Sequence, residues 1–243
     1  MEQATRYLIV GTGRCGSSLL AAILAKAGAN FDMPVQTKWD RRSGEYEHPM
    51  LLEARRWLVW ADKIARSPLP SRLRNFCQRR AAQKLDELLR RATFLKSPEL
   101  VRMVHIVAKL GYQPKIILSY RQFEGYSVSR HLKSGWGFSR LVEQYINVNS
   151  TALLQLYIFG GCTIGYEELV NKEETVWAEA LEQLTGIKAS HLLESRESLV
   201  KAVTPQWEFP VPNPEVMKVY KLLVQLKGLV IEPVSSSTLN ERL

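Results

Sequence analysis

The sequence predicts an α/β fold, a parallel β-sheet flanked by helices in three layers, and three observations carry that prediction. The chain opens as strand, glycine loop, helix; strand-like and helix-like segments then alternate; and 243 residues are enough for one large α/β domain with a full core.

Arg6-Tyr-Leu-Ile-Val10 is β-branched and aromatic, which predicts the first strand. Ser17 to Ala27, rich in Leu and Ala, predicts a helix that Gly28 ends. From Asn30 to His48 the composition turns polar, with Pro34 and Gly44 inside it and Pro49 just after, so a long surface loop is expected. Loops of that length usually carry function. Leu51 to Ala65 and Ser71 to Thr93 predict two helices separated by Pro68 and Pro70, a helical insertion around residues 50–93 on the substrate side. The second is heavily basic, with Arg72, Arg74, Arg79, Arg80, Lys84, Arg90 and Arg91; a solvated face is its first reading and a dock for an acidic substrate the second.

Phe94-Leu-Lys96 predicts a short strand, Pro98 to Leu110 a helix with proline in its first turn, Lys115 to Tyr120 a strong strand, and Gln122 to Lys133 a helix. Leu141 to Ile158 reads as a helix stopped by Gly160-Gly161, Cys162 to Tyr166 as a strand and Lys172 to Leu184 as a helix. His191 to Val203 and Glu215 to Leu229 close a single domain spanning residues 1–243, with no internal repeat.

Hydrophobic residues at 46% and charged residues at 23% are ordinary globular values, which argues against disorder and against wholesale membrane burial. The net charge of +9 favours anionic partners without choosing among them. Cys15, Cys77 and Cys162 are odd in number and widely spaced, with no zinc pattern, so no metal is expected and a reducing cytoplasm fits. No apolar run approaches the roughly 18 residues of a membrane span, and the first one, Tyr7 to Val10, is too short for a secretory signal.

Gly11-Thr-Gly13-Arg14-Cys15-Gly16-Ser17-Ser18 lies between the first strand and the first helix. Backbone N–H groups and the helix dipole stabilise an anion at such a turn, and glycines let it come close. Three cargoes fit. G-x-G-x-x-G is the dinucleotide fingerprint, but Ala29-Asn-Phe31 before Asp32 is a poor second strand. The G-x-x-x-x-G frame of an NTP loop has Ser17 where lysine is needed, and the strand Lys115 to Tyr120 ends in Arg121 rather than a magnesium-binding carboxylate. The third reading keeps the loop and changes the anion. A tight turn with no ligand is the bland alternative, disfavoured by the donors Arg14, Ser17 and Ser18.

A series of motifs from Tyr7 to Leu184 favours the third reading. Gly13-Arg-Cys-Gly-Ser-Ser-Leu-Leu20 is similar to the 5′-phosphosulfate loop P-R-S-G-T-T-L-L of the sulfotransferases that use 3′-phosphoadenosine 5′-phosphosulfate (PAPS). Gly44-Glu-Tyr-Glu-His48 resembles the G-Y-F-E-D segment of bacterial members, Leu95-Lys-Ser-Pro98 their L-K-S-P, and Tyr166-Glu-Glu-Leu169 their Y-E-D-L. Arg121 and Ser129, eight positions apart, resemble the family's 3′-phosphate clamp. Singly, each residue is better read as a surface ion pair, an idle helical serine or a packed tyrosine; their joint order is what those readings explain badly.

The resemblance implies a P-loop NTPase-like three-layer fold and a transferase with PAPS as donor and 3′,5′-ADP as product. It implies that Gly13, Arg14, Cys15, Gly16, Ser17, Ser18, Arg121, Ser129 and Tyr166 bind the donor, with Tyr166 against the adenine. Arg14 and Lys96 would stabilise charge at the sulfuryl group. Glu47 is the first choice for the base that takes the acceptor's proton, then His48, whose ordinary pKa is nearest neutral, then Asp32. A helix-capping role for Glu47 and His48 is weighed nearly equally. Cys15 departs from the family's serine, and Gln122-Phe123 replaces the usual Asp/His-Pro after the clamp arginine. The expected partner is a small-molecule, lipid or glycan acceptor, in a pocket shaped by the loop from Asn30 to His48 and the helices up to Thr93. Competing readings are a P-loop small-molecule kinase and a non-catalytic nucleotide-binding protein; nucleic acid comes last, since no aromatics interleave Arg72 to Arg91 as a stacking platform would require.

Overall fold

The computed structural model describes residues 3–34, 46–67, 69–200 and 213–234. Residues 35–45 of the long loop, including Gly44 and Glu45 of the Gly44–His48 motif, lie outside the described residues, as do Pro68 and the end of the segment running to Val203. In chain order the elements are β1 (Thr5–Val10), α1 (Ser17–Lys26), α2 (Pro49–Ala65), α3 (Ser71–Leu89), β2 (Phe94–Lys96), a 3-10 turn (Pro98–Arg102), α4 (Val104–Lys109), β3 (Gln113–Tyr120), α5 (Phe123–Ser134) and α6 (Phe138–Phe159). β4 (Gly161–Gly165), α7 (Tyr166–Val170), α8 (Val176–Thr185), α9 (Ala189–Leu199), α10 (Pro214–Gln225) and β5 (Val230–Ile231) follow.

The sheet order is β2-β1-β3-β4-β5, parallel through the first four strands. Strand side chains alternate between faces, so each inner strand feeds two cores. Leu8, Val10, Ile116 and Leu118 face a cluster completed by α3, α4, α6 and α10, while Ile9, Ile117, Cys162 and Ile164 face one completed by α1, α8 and α9. This two-sided burial is why the strands read as continuous apolar runs rather than as alternating ones.

Three expectations change in detail, each through a polar group that claims backbone atoms. The helix expected from Pro98 to Leu110 is broken at Met103, where the Gln155 side chain donates to the Val101 carbonyl that an unbroken helix would use. The helix expected from Lys172 starts at Val176, because the buried Arg196 guanidinium takes the carbonyls of Asn171, Lys172 and Glu174. The second insertion helix stops at Leu89, and the N–H groups of Thr93 and Phe94 both donate to the Asn30 carbonyl as the chain enters β2. The closing segment Glu215 to Leu229 is helical through α10, and after a turn at Gly228 (φ 72°) the chain adds β5, antiparallel to β4, at the sheet edge.

Helix α2 starts at His48. Its Nδ1 accepts the Met50 N–H at 3.2 Å, Pro49 occupies the first helical position, and Nε2 faces the Asp32 carboxylate at 3.5 Å. Burial holds the His48 pKa below the usual imidazole range, with Asp32 opposing that shift and Arg91 assisting it.

Two outcomes are expected. At Gly11, φ is +146° and an added Cβ would sit 2.1 Å from the Ser119 carbonyl oxygen, whereas Gly186 (φ +76°) has open space. Gly11→Ala should therefore lower stability by about 3 kcal/mol or more and Gly186→Ala by only about 1 kcal/mol, read by denaturant unfolding. His48 is more easily protonated in the unfolded chain, so its contribution is complete above its unfolded pKa of about 6.5 and is lost as pH falls through the lower folded value. His48→Asn, which preserves a capping oxygen, should flatten the fall in Tm between about pH 7 and pH 5, leaving the share of His105, which burial also lowers.

Candidate functional site

Parallel register decides which residues can meet. Ile9 pairs with Lys96, Val10 with Leu118, and Tyr120 with Gly165, so the segments that follow β1, β2, β3 and β4 leave the sheet at one carboxyl edge. That edge is where open α/β sheets bind ligands. Residues far apart in sequence are collected there: the glycine loop, Lys96, Arg121 and Tyr166.

The loop is held from below. Ser119 donates its hydroxyl to the Cys15 carbonyl at 3.1 Å, and the Cys15 N–H reaches the Thr12 carbonyl at 3.2 Å. The Cys15 side chain is buried against Gly11, so it packs the underside of the loop. Arg14 (φ 79°) and Gly16 (φ 91°) are both left-handed. For arginine that conformation costs of order 1 kcal/mol, and such outliers gather where backbone N–H groups form concave anion sites. Gly16 precedes α1, and no side chain caps the helix, so its first N–H groups are open to an external acceptor.

Three arginines line this edge. Arg14 donates through Nε to the Ser129 hydroxyl on α5 at 3.0 Å. Arg121 lies over the Tyr166 ring at 4.2 Å, and an added Cβ at Gly125 would be 2.6 Å from its Nε. That Nε is buried without a hydrogen-bond partner among the described residues, and burial lowers the Arg121 pKa, with Arg14 acting in the same direction. The third, Arg130, places its guanidinium 3.1 Å from where a Gly13 Cβ would be and 4.1 Å from the Trp136 ring centroid; its Nε is also buried and has no partner among the described residues. The Thr12 hydroxyl is a further buried atom without a partner among the described residues. Buried donors left open at the mouth of a helix fit an incoming anion better than an empty turn.

Arg130 and Trp136 were not singled out from the sequence. Arg130 directly follows Ser129, but a cation on a helix is ordinary, and only the fold shows it turned onto Gly13. Tyr166 packs on Gly16, an added Cβ there meeting its Cδ2 at 2.5 Å. The departure at Gln122 is accommodated: its N–H donates to Glu167 at 3.2 Å, and burial raises the Glu167 pKa. Glu168 accepts from the Tyr120 hydroxyl at 2.9 Å and the Gly165 N–H at 3.2 Å, tying α7 to the ends of β3 and β4.

The three candidate bases occupy different settings. Glu47 meets the Lys96 ammonium at 3.3 Å, with Lys96 only 3% exposed. His48 has both ring nitrogens engaged, one by the Met50 N–H and the other facing Asp32. Asp32 also pairs with Arg91 at 3.3 Å. A cavity of about 490 Å³ lies between α2, α3 and α4, bordered by Arg55, Leu58, Arg79, Glu99, His105 and Ile106; none of the loop residues lines it.

No protein-family profile matches the chain, and no curated protein does. Among solved structures it is similar to the sulfotransferase domain of the Synechococcus PCC 7002 olefin synthase, at 15% identity and a TM-score of 0.56 over 92% of this chain and 95% of that one. At that identity the likeness is one of architecture: the chain has a sulfotransferase-like α/β fold, a mostly parallel five-stranded sheet flanked by helices.

Proposed function

We propose that the protein transfers a sulfuryl group from PAPS to a hydroxyl or amine acceptor. The observation that carries this reading is the contact between Arg14 of the glycine loop and Ser129 of the Arg121–Ser129 pair, beside a buried Arg121 Nε with no partner among the described residues. Motifs more than a hundred residues apart thus meet at one cationic edge, as a donor with anionic groups at both its 5′ and 3′ ends requires. The likeness of fold to a sulfotransferase domain supports the same reading.

PAPS would supply the activated sulfuryl group and leave as 3′,5′-ADP. The loop N–H groups with Ser17 and Ser18 would hold the 5′ end, Arg121 and Ser129 the 3′-phosphate, and the Tyr166 ring would flank the nucleotide. Arg14 would neutralise charge on the oxygen from which the sulfuryl group departs. Lys96 is buried and its ammonium, 3.3 Å from Glu47, would hold that carboxylate in place. Glu47 would accept the acceptor's proton as the new sulfur–oxygen or sulfur–nitrogen bond forms. His48 fits less well, because its free lone pair is already used as the α2 cap. A kinase reading lacks its lysine at Ser17.

3′,5′-ADP should raise Tm and bind in titration calorimetry, ATP with magnesium should do neither, and Arg121→Ala should weaken 3′,5′-ADP binding about 10- to 100-fold. Equal stabilisation by both nucleotides would refute the assignment. Glu47→Gln should lower kcat about 10²- to 10⁴-fold with an acceptor found by screening, while 3′,5′-ADP affinity stays unchanged. Full activity in Glu47→Gln, with loss in Asp32→Asn, would move the base to Asp32.

A further inference from the structure

The positive charge of the chain is concentrated in one place. Between Arg55 and Arg80 there are eight lysines and arginines against Asp62 alone, so this stretch holds most of the net +9. It corresponds to the outer half of the α2–α3 hairpin, remote from the glycine loop: Trp60 lies about 18 Å along α2 from His48 at 1.5 Å per residue.

The same surface exposes large apolar groups. Trp60 is 58% exposed, Leu69 51%, Phe76 48% and Leu73 46%. On α2, Arg56, Trp60 and Lys63 recur at helical spacing; on α3, Leu73, Phe76 and Arg80 do the same. An edge contact between Trp57, which packs on the small core beneath, and Phe76, centroids 5.9 Å apart, joins the two helices. Each exposed ring carries a cation: the Lys63 ammonium is 5.5 Å from the Trp60 centroid and the Arg80 guanidinium 5.4 Å from that of Phe76. Beneath them Ala61, Ile64 and Cys77 form a small separate core, so the apolar stripe is surplus to what holds the hairpin together.

We infer that this face docks on an anionic lipid bilayer. Aromatic and leucine side chains that enter the headgroup boundary, flanked by lysine and arginine that meet the lipid charges, are what such an interface requires. Nucleic acid would use the cations but leave Leu69 and Leu73 without a role. A second copy of the same face would bring like charges together. The inference does not depend on the proposed transferase activity.

The test is flotation of the full chain with vesicles of phosphatidylcholine alone or mixed with phosphatidylglycerol. The chain should float with the mixed vesicles only. Trp60→Ser with Leu73→Ser, and separately Arg72→Glu with Arg74→Glu, should each lower the bound fraction about tenfold or more while Tm is unchanged. If either pair proves to lower Tm, Lys63→Glu with Arg66→Glu replaces it with the same expectation. Absence of flotation, equal flotation with neutral vesicles, or binding unaffected by the Trp60/Leu73 pair overturns the inference. So does a dimer in light scattering that the same pair dissolves, or binding to duplex DNA as tight as to the mixed vesicles.

Discussion

The close approach of Gly11 to the Ser119 carbonyl is the constraint on which the site rests. An added Cβ would lie 2.1 Å from that oxygen, so the loop can leave β1 only as glycine and only against the end of β3. The Ser119 hydroxyl then binds the Cys15 carbonyl, and the loop is fixed on the strand that also delivers Arg121. One backbone contact thereby couples the loop to the strand end carrying the neighbouring arginine. Cys15 suits this geometry, because its side chain faces down into the packing and its carbonyl takes the polar role.

The electrostatics of the edge oppose folding. Arg14 and Arg121 repel one another, and burial lowers the Arg121 pKa as well. Stacking on Tyr166 and on Trp136 recovers part of that cost for Arg121 and Arg130. Two buried Nε atoms still have no acceptor among the described residues. Such an arrangement is poor for stability and well matched to a multiply charged anion, whose binding would supply the missing acceptors. Strain at Arg14 follows the same pattern, since its left-handed backbone is tolerated where it shapes a concave turn.

Element order and sheet composition were legible because the inner strands are short, apolar and separated by helices with clear glycine and proline ends. What escaped was local. Val230–Ile231 is too short to show a period, and the early end of the helix after Pro98 depends on Gln155, more than fifty residues away. The motifs pointed to residues that the fold collects at one carboxyl edge, but not to the side chains beside them. Arg130 looks like any helical cation until the turn of α5 lays it on Gly13. The Glu47-His48 pair shows the limit clearly: adjacent residues, both able to cap a helix or take a proton, are separated only by what each one touches, Lys96 for one and the Met50 N–H for the other.

That separation makes α2 the element joining the two ends of the molecule. Its N-terminus, set by His48 and Pro49, positions Glu47 beside Lys96 at the end of β2. Its outer turns carry Trp60 and Lys63 on the exposed basic face. A rigid helix of 17 residues transmits orientation between them without needing to move. Docking that face on a surface would fix how the carboxyl edge of the sheet stands relative to it, at a distance set by the length of α2. Under the proposed transfer, acceptors would then be selected by reach as much as by pocket shape, with the amphipathic hairpin determining from which side they arrive.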